Sequence, residues 1–223
     1  MALTNLILRC SAVLFDLDGV LVDSEPVVVR TWNRWAERHD LDIPDLVRRA
    51  HGRRSIETVR EVAPHLDAEV EVRWLEGTET SDAEGLAILP GAAELFRAIP
   101  KERRAVVTSG GRALAEFRLA AVGLASPTVL ISAEDVERGK PAPDGYLLAA
   151  ERLGAAPGEC VVIEDTPAGI GAGRAAGATV LAVTTTFPAA ELQQAHVVLA
   201  SFAAVDAIVR GGELQLSITE GTR

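Results

Sequence analysis

Two pairs of acidic residues lie directly after short apolar runs in this chain. The first pair is Asp16 and Asp18, and the second, far along the sequence, is Glu164 and Asp165. Burying carboxylates at the ends of core strands is costly unless a cation compensates their charge. Carboxylate oxygens suit Mg²⁺, and open α/β sheets bind ligands where their strands end. Together the pairs predict one Mg²⁺ site, although each alone also suits a turn or a capped helix start.

Two further segments carry groups that suit a phosphate. Thr108, Ser109 and Gly110 follow a third apolar run, and hydroxyls and free amides at a helix start can bind phosphate oxygens. Lys140 precedes two prolines in a stiff loop, where its ammonium would offset the charge of carboxylates and phosphate. Taken singly, the first segment also suits an ordinary strand-to-helix loop, and Lys140 also suits an exposed loop lysine.

The elements that must position these groups follow from the hydrophobic pattern. Short β-branched runs that are almost continuously apolar are typical of strands buried on both faces. Such strands are predicted at 12–15, 105–108, 128–131, 161–163, 179–183 and 197–199, and weak alternation after Gly212 predicts a small edge strand. Ala-rich helices are predicted at 113–121, 144–153 and 167–176. Alternating strands and helices predict an α/β fold with a mostly parallel sheet flanked by helices.

The segment after the first strand breaks this alternation. Residues 23–87 contain no convincing strand, whereas Val28, Trp32 and similar apolar residues recur at helical spacing. We interpret this segment as a helical insert. The core domain then consists of residues 1–22 and 88–223.

Composition narrows the possible functions. The 223 residues suit a core with a smaller insert, and 48% of them are hydrophobic, which is enough to bury a core. The net charge of -10, from 32 acids against 22 bases, argues against nucleic-acid binding, which needs a basic surface. No segment has the roughly 18 apolar residues of a membrane span, and no signal peptide is recognisable. We expect a cytoplasmic protein whose two cysteines are reduced core thiols, with no zinc site.

The four segments that carry these polar and charged groups, in this order, resemble the haloacid dehalogenase superfamily of aspartyl-phosphate enzymes. The resemblance extends from Val13 to about Phe187, and the matching sequences are DLDGVLVDSE, VVTSG, GKPAPDGY and IEDTPAGIGAGRAAGA. It implies a Rossmann-like core, and the insert resembles the small cap domain of the family's beta-phosphoglucomutase-like branch. Within that branch, HGRR at 51–54, TSGGRALA, LEGTET and TTF are most similar to sugar, sugar-alcohol, glycerol-phosphate and deoxyglucose-phosphate phosphatases.

The resemblance implies a role for each matching residue. Asp16 corresponds to the nucleophile that becomes phosphorylated, and Asp18 to the general acid and base. Ser109 and the amide of Gly110 correspond to the phosphate-binding element. Lys140 corresponds to the lysine between nucleophile and phosphate.

The resemblance also implies a Mg²⁺ cofactor. Its ligands correspond to the carboxylates of Asp16 and Asp165 and to the backbone carbonyl of Asp18. Glu164 corresponds to a position that ligates the metal directly in some members and through water in others. Mg²⁺ and Lys140 would neutralise the repulsion between a carboxylate and a phosphate dianion.

These roles predict a Mg²⁺-dependent phosphatase that hydrolyses a small sugar or sugar-alcohol phosphate through an aspartyl-phosphate. A sugar phosphomutase is the alternative, but mutases of this branch carry a histidine where this chain has Val28. Dehalogenation is disfavoured because those relatives lack the second acid, here Asp18. A non-catalytic binding protein is disfavoured because the expected catalytic residues are present. The expected partner is a small phosphorylated metabolite, and we expect a monomer, with a homodimer as the alternative.

Substrate choice is expected to lie in the insert. A cap that closes over the site would exclude water and contact the leaving group. The candidates for this role are Glu25, His51, Arg53, Arg54 and Glu76. His51 also suits an ordinary loop or helix histidine, and Arg54 a solvated helix face.

Overall fold

The computed structural model describes residues 4–220, so the ends of the predicted core domain, 1–3 and 221–223, lie outside the described residues. The strands are β1 (Thr4–Cys10), β2 (Ala12–Phe15), β3 (Val22–Asp23), β4 (Ala87–Ile88), β5 (Arg104–Val107), β6 (Leu130–Ile131), β7 (Cys160–Glu164), β8 (Thr179–Val183), β9 (Val197–Leu199), β10 (Val205–Arg210) and β11 (Glu213–Glu220). The helices are α1 (Glu25–Arg38), α2 (Leu46–Ala50), α3 (Ser55–Val62), α4 (Ala68–Glu79), α5 (Ala92–Ala98), α6 (Arg112–Ala121), α7 (Asp144–Leu153) and α8 (Pro167–Ala175). Within this range, no helix combines the length and apolar character that crossing a bilayer requires.

Six strands form one parallel sheet in the order β6–β5–β2–β7–β8–β9. Alternate residues of its strands enter two hydrophobic clusters: in β2, Val13 and Phe15 belong to one cluster, and Ala12 and Leu14 to the other. Apolar residues on both faces are what a sheet covered by helices requires. The α/β prediction is confirmed, and the six predicted strands are present with ends displaced by at most two residues. Because β2 lies between β5 and β7, the segments that follow these three strands meet at one edge.

The helices α1 to α4 of the insert pack around an apolar cluster of their own. Trp35 is fully buried there, and the ring of Trp32 meets it edge-on, with 5.4 Å between centroids. On α4 the buried face carries Glu71 and Glu79, whereas Val70 is 41% exposed. The strands β3 and β4 pair as a two-residue antiparallel ribbon, through which both connections between insert and core pass.

The two ends of the chain form a second, antiparallel sheet in the order β1–β11–β10. The strand predicted near the C-terminus exists as β11, but its predicted edge position is wrong, because β1 and β10 pair on either side of it. β11 turns Leu214, Leu216 and Ile218 into the core. Its two neighbours were not predicted, because outward charged residues such as Arg9 and Asp206 interrupt their apolar pattern.

The two cysteines are buried free thiols, as predicted. Burial raises the pKa of Cys160 to about 11 and that of Cys10 to about 12. Both thiols are therefore uncharged at neutral pH, which makes them poor nucleophiles.

Candidate active site

The carboxyl end of β2 places Asp16 at the bottom of the candidate site. Its backbone amide donates to the carbonyl of Ile163 at 2.9 Å, which extends the pairing of β2 with β7. The Asp16 side chain is buried and forms an ion pair with Lys140, which lies in the loop before α7. The ends of β2 and β7 and the loop before α7 therefore meet at Asp16.

Glu164, the last residue of β7, is fully buried and fully hydrogen-bonded. Its Oε1 accepts from Lys140 Nζ at 2.6 Å and from the Tyr146 hydroxyl at 2.8 Å. Its Oε2 accepts from the amides of Asp165 and Thr166 and from the Thr166 hydroxyl, at 2.9, 3.1 and 3.0 Å. A carboxylate offers about four lone-pair sites, so these five donors leave little capacity for a metal ion. The contacts instead fix Lys140 between the two carboxylates.

Asp165, the next residue, differs from Glu164 in its hydrogen bonding. It is only 1% exposed, yet neither carboxylate oxygen makes a hydrogen bond of normal geometry among residues 4–220. The Thr186 hydroxyl lies near it and lowers its pKa, but less than burial raises it. Its Oδ2 lies against the backbone of Gly19, where an added Cβ would come within 1.9 Å of that oxygen and where φ is +76°. Only glycine accepts both constraints easily. An unpaired buried carboxylate is costly, so Asp165 requires a cation or a proton.

The cluster as a whole carries an excess of negative charge. Oxygens of Asp16, Glu164 and Asp165 all lie within 4.8 Å of one another, and these three carboxylates face the one ammonium of Lys140. Burial raises the pKa of Asp16 and of Asp165, and Lys140 offsets only part of the rise at Asp16. Burial alone would lower the pKa of Lys140, but the Asp16 and Glu164 carboxylates raise it. The oxygen-only donors and the charge excess fit a hard divalent cation such as Mg²⁺.

Asp18 lies two residues beyond Asp16 and is partly exposed. Its Oδ1 accepts a hydrogen bond from the Ser24 hydroxyl at 2.7 Å and forms an ion pair with Arg118 Nη1 at 2.7 Å. Arg118 also forms an ion pair with Glu79 of the insert. Asp18 is therefore held by groups from β3–α1, from α6 and, through Arg118, from α4.

The loop between β5 and α6 carries the predicted phosphate-binding groups. The Ser109 hydroxyl donates to the Gly52 carbonyl of the insert at 3.0 Å. The Gly110 amide donates to Thr108 Oγ1 at 3.1 Å. The insert therefore lies directly on this loop.

A cavity opens between this loop, the insert and the acidic strand ends, with about 560 Å³ of empty space when the open solvent at its mouth is included. The cavity brings together all the predicted catalytic and metal-binding aspartates with the phosphate-binding loop. Its walls include Asp16, Asp18, Val28, Ser109, Arg118 and Asp165.

Two of the five insert candidates, His51 and Arg53, also line this cavity. Glu25 lines a neighbouring cavity of about 460 Å³, which it shares with Asp18 and His51. Burial lowers the pKa of His51, so its imidazole is mostly neutral at pH 7. A neutral imidazole can both donate and accept hydrogen bonds, which suits a hydroxyl-rich ligand.

The other two candidates do not line the 560 Å³ cavity. Arg54 donates to Glu57 at 2.7 Å and to the carbonyl of Val136 at 3.3 Å. Glu76 accepts from the amide of Gly111 at 2.8 Å, at the start of α6. Both residues join the insert to core loops beside the site.

Comparison with known proteins identifies the family. Residues 10–177 match the haloacid dehalogenase-like hydrolases, which is more than half of the chain. The chain belongs to this family. The resemblance inferred from the four motifs is therefore confirmed, and the protein is a hydrolase.

Similar members of the family have been named for their substrates. This hydrolase is 43% identical over 199 residues to Hexitol phosphatase A of Escherichia coli, covering 87% of this chain and 92% of that one. It is 35% identical over 192 residues to Glycerol-1-phosphate phosphohydrolase 2 of Saccharomyces cerevisiae, covering 81% and 77%. Among solved structures, a hydrolase of the same family from Deinococcus radiodurans R1, with bound phosphate and sodium, has a TM-score of 0.63 and 31% identity, covering 87% and 92%.

Three residues of this hydrolase site were missed by the sequence analysis: Arg118, Glu79 and Tyr146. The sequence did contain a signal for the first two. Arg118 follows the buried Leu114 by four residues in α6, and Glu79 follows the buried Leu75 by four residues in α4, so each lies on the buried face of its helix. A charged residue within an apolar stripe is buried and needs a partner. Tyr146 gives no comparable signal, since a buried tyrosine is ordinary.

Proposed function

We propose that this hydrolase is a Mg²⁺-dependent phosphatase of a small sugar-alcohol or sugar phosphate, acting through phosphorylated Asp16. The proposal depends on one observation. Asp16 lies beside the 560 Å³ cavity, paired with Lys140, and beside it the Asp165 carboxylate has no partner among residues 4–220. A nucleophile, a fixed ammonium and a vacant cation ligand are the parts that aspartyl phosphoryl transfer needs.

The metal would be held by the carboxylates of Asp16 and Asp165 and by the backbone carbonyl of Asp18. Glu164 would not ligate it directly, because its five donors occupy both oxygens. Bound there, Mg²⁺ would neutralise charge on the phosphate so that a carboxylate can approach. Lys140 supplies a second positive charge at the same place.

The side chains then divide the reaction into two steps. Asp16 attacks phosphorus, the ester P–O bond breaks, and Asp18 gives a proton to the departing oxygen. In the second step Asp18 takes a proton from the water that attacks the aspartyl-phosphate, which releases phosphate and restores Asp16. Ser109 and the Gly110 amide would exchange their present bonds for phosphate oxygens.

The insert, residues 23–87, would act as a cap that admits the substrate and excludes bulk water. Its contacts with the phosphate-binding loop, such as Gly52 on Ser109, support a closed position over the site. His51 and Arg53 line the cavity and would bind hydroxyl groups of the leaving alcohol. Val28 is an apolar wall of the same cavity, which supports hydrolysis rather than a phosphomutase that uses a histidine there.

The substrate class rests on chemistry and on the relatives. The polar groups that line the cavity, such as His51, Arg53 and Ser109, suit a hydroxyl-rich ester, and two similar proteins are named for hexitol and for glycerol 1-phosphate. Phosphate release should be measured with hexitol, glycerol, hexose and nucleotide monophosphates, with Mg²⁺ and with EDTA. We expect the highest kcat/KM for a sugar-alcohol phosphate and no turnover in EDTA. Metal-independent turnover, or isomerisation that requires a sugar bisphosphate, would reject the proposal.

A further inference from the structure

The last turn of α4 contacts the core helix α6 at two points. Glu76 and Glu79 are three residues apart, so they lie on the same side of α4. Glu76 accepts from the Gly111 amide at the start of α6, at 2.8 Å, and Glu79 pairs with Arg118 one turn from its end. The insert therefore meets α6 through two carboxylates.

Arg118 is the centre of this contact. It is 4% exposed, and a buried guanidinium is costly unless carboxylates pair with it. Its Nη1 forms an ion pair with Asp18 Oδ1 at 2.7 Å, and its Nη2 donates to Glu79 Oε2. Because the guanidinium is rigid and planar, its two nitrogens hold the two carboxylates at a fixed separation. One side chain of the core thus joins the candidate acid of the reaction to the insert.

The contacts on Asp18 leave one oxygen available. The shortest contact of Arg118 with Asp18 and the hydrogen bond from the Ser24 hydroxyl are both to Oδ1, and no hydrogen bond to Oδ2 is found among residues 4–220. Two donors on one oxygen restrict the rotation of the carboxylate. Oδ2 can then be presented to the leaving oxygen in the cavity that Asp18, Glu79 and Arg118 line together.

We infer that Arg118 is a positioning residue that makes the orientation of Asp18 depend on the insert lying against the core, with Glu79 as the contact on the insert. Glu79 reaches Arg118 only when α4 packs on α6. Arg118 then holds Asp18 in the orientation for proton transfer, so that proton donation and closure of the insert occur together. The inference rests on the proposed function, because it needs Asp18 to protonate a leaving oxygen.

The leaving group provides the test. A sugar alcohol departs as a strongly basic alkoxide unless it is protonated, whereas p-nitrophenolate departs readily without a proton. Disturbing Asp18 should therefore slow the first step, departure of the leaving group, far more for an alkyl phosphate than for p-nitrophenyl phosphate. The second step, hydrolysis of the aspartyl-phosphate, is the same for both esters and does not report on the leaving group. A loss that comes only from poorer folding would affect both esters equally.

The experiment compares wild type, Glu79→Gln and Arg118→Lys with a hexitol 6-phosphate, glycerol 1-phosphate and p-nitrophenyl phosphate, all with Mg²⁺. The readout is the rate of the first step, release of the alcohol or phenol in a single turnover with enzyme in excess. We expect Glu79→Gln to lower this rate for the alkyl esters about 10-fold and for p-nitrophenyl phosphate less than about 3-fold. Arg118→Lys should lower it for the alkyl esters about 100-fold, since small misplacements of catalytic groups have effects of that size. The ester concentration that half-saturates this rate should change little. Glu71→Gln is the matched control, because it removes another buried carboxylate from α4 that bonds only within the insert.

Each outcome decides between the two proposals. If wild type hydrolyses an alkyl ester but both variants slow release from all three esters equally, Arg118 has only a structural role and the inference is rejected. The same holds if only the half-saturating ester concentration rises while the rate of release is kept. If wild type hydrolyses no alkyl ester, a hexose phosphate included, the proposed function fails and the inference fails with it.

Discussion

Two regions of the molecule hold buried carboxylates that are stabilised in opposite ways. The first region is the insert cluster, formed by Trp35, His39 and Glu71. There Glu71 Oε2 accepts from Trp35 Nε1 at 2.9 Å and lies 2.8 Å from His39 Nε2. Burial alone would raise the pKa of Glu71, but its bonds to His39 and Trp35 lower it.

The second region is the strand-end cluster, formed by Asp16, Lys140, Glu164 and Asp165. Glu164 is saturated by donors, but Asp165 has none among residues 4–220, and burial raises its pKa. The two clusters therefore differ in what completes them. The insert cluster is complete within the protein, whereas the strand-end cluster needs a cation from solution.

The difference separates structural from functional buried charge. A carboxylate whose hydrogen-bond partners all lie within its own domain, such as Glu71, can stabilise that domain without any ligand. A carboxylate left without a partner lowers stability, and a protein retains it where a ligand supplies the missing contact. Four predictions test this contrast, from the largest expected effect to the smallest.

Asp16→Asn should reduce turnover by roughly 10⁴- to 10⁶-fold, the size of loss seen when a nucleophile is removed. The amide keeps the shape of the side chain but cannot attack phosphorus, so the circular-dichroism spectrum should be unchanged. Phosphate release by purified protein is the measurement. Glu71→Gln is the control from the other cluster and should keep kcat within about 3-fold. Comparable losses in both variants would remove the distinction between the clusters.

Asp165→Asn should abolish the stabilisation that Mg²⁺ gives to the wild-type protein. A ligand at 100 times its Kd stabilises a folded protein by about 2.7 kcal/mol, and the variant lacks the carboxylate that would bind it. Thermal unfolding over a Mg²⁺ titration measures the effect. A Tm that rises with Mg²⁺ as much in the variant as in wild type would place the metal elsewhere.

In EDTA, the free energy of unfolding should fall as pH rises from about 4 to about 8. The folded-state pKa of Asp16 is raised from 3.8 to about 8, so its contribution to stability is present below the lower value and is lost as pH passes the higher one. Burial shifts Asp165 in the same direction. Urea unfolding at pH 5 and pH 8 measures the trend, and Asp165→Asn should reduce it. A pH-independent stability in EDTA would show that the cluster is not strained by its charge.

The insert cluster should show the opposite sign and a smaller effect. Because the folded-state pKa of Glu71 lies below 4.5, its stabilisation is present above that pH and is lost as pH falls through the lower value. Glu71→Gln should lose about 1–2 kcal/mol at pH 7, the size of a hydrogen bond to a charged group. The difference between variant and wild type should shrink on acidification to pH 3. A difference that is constant with pH would show that the charge of Glu71 contributes nothing.

The core of the fold was predictable because its signals are local. Runs such as Val161 to Ile163 identify their strand without reference to the rest of the chain, and the acids that follow them mark the strand ends. The convergence of Asp16 and Asp165 then follows from the geometry of a parallel sheet. The topology of a parallel sheet was therefore enough to predict from the sequence that these distant acids lie close together.

Other parts of the site depend on contacts that no local pattern specifies. The pairing of Glu79 with Arg118 joins two helices of different units, and its partners are 39 residues apart. The unpaired state of Asp165 and the saturation of Glu164 differ although the two residues are adjacent, since only the packed loops decide which donors reach them. The position of β11 between β1 and β10 likewise requires both ends of the chain at once.

Chemical trapping of the intermediate tests the central claim most directly. Borohydride reduces an acyl phosphate and would convert phosphorylated Asp16 to homoserine, which mass spectrometry of the peptide around residue 16 detects. We expect this conversion at Asp16 only when a phosphate ester and Mg²⁺ are both present, and none in Asp16→Asn. Steady turnover of the ester with no modification of Asp16, or with modification of another carboxylate, would contradict it.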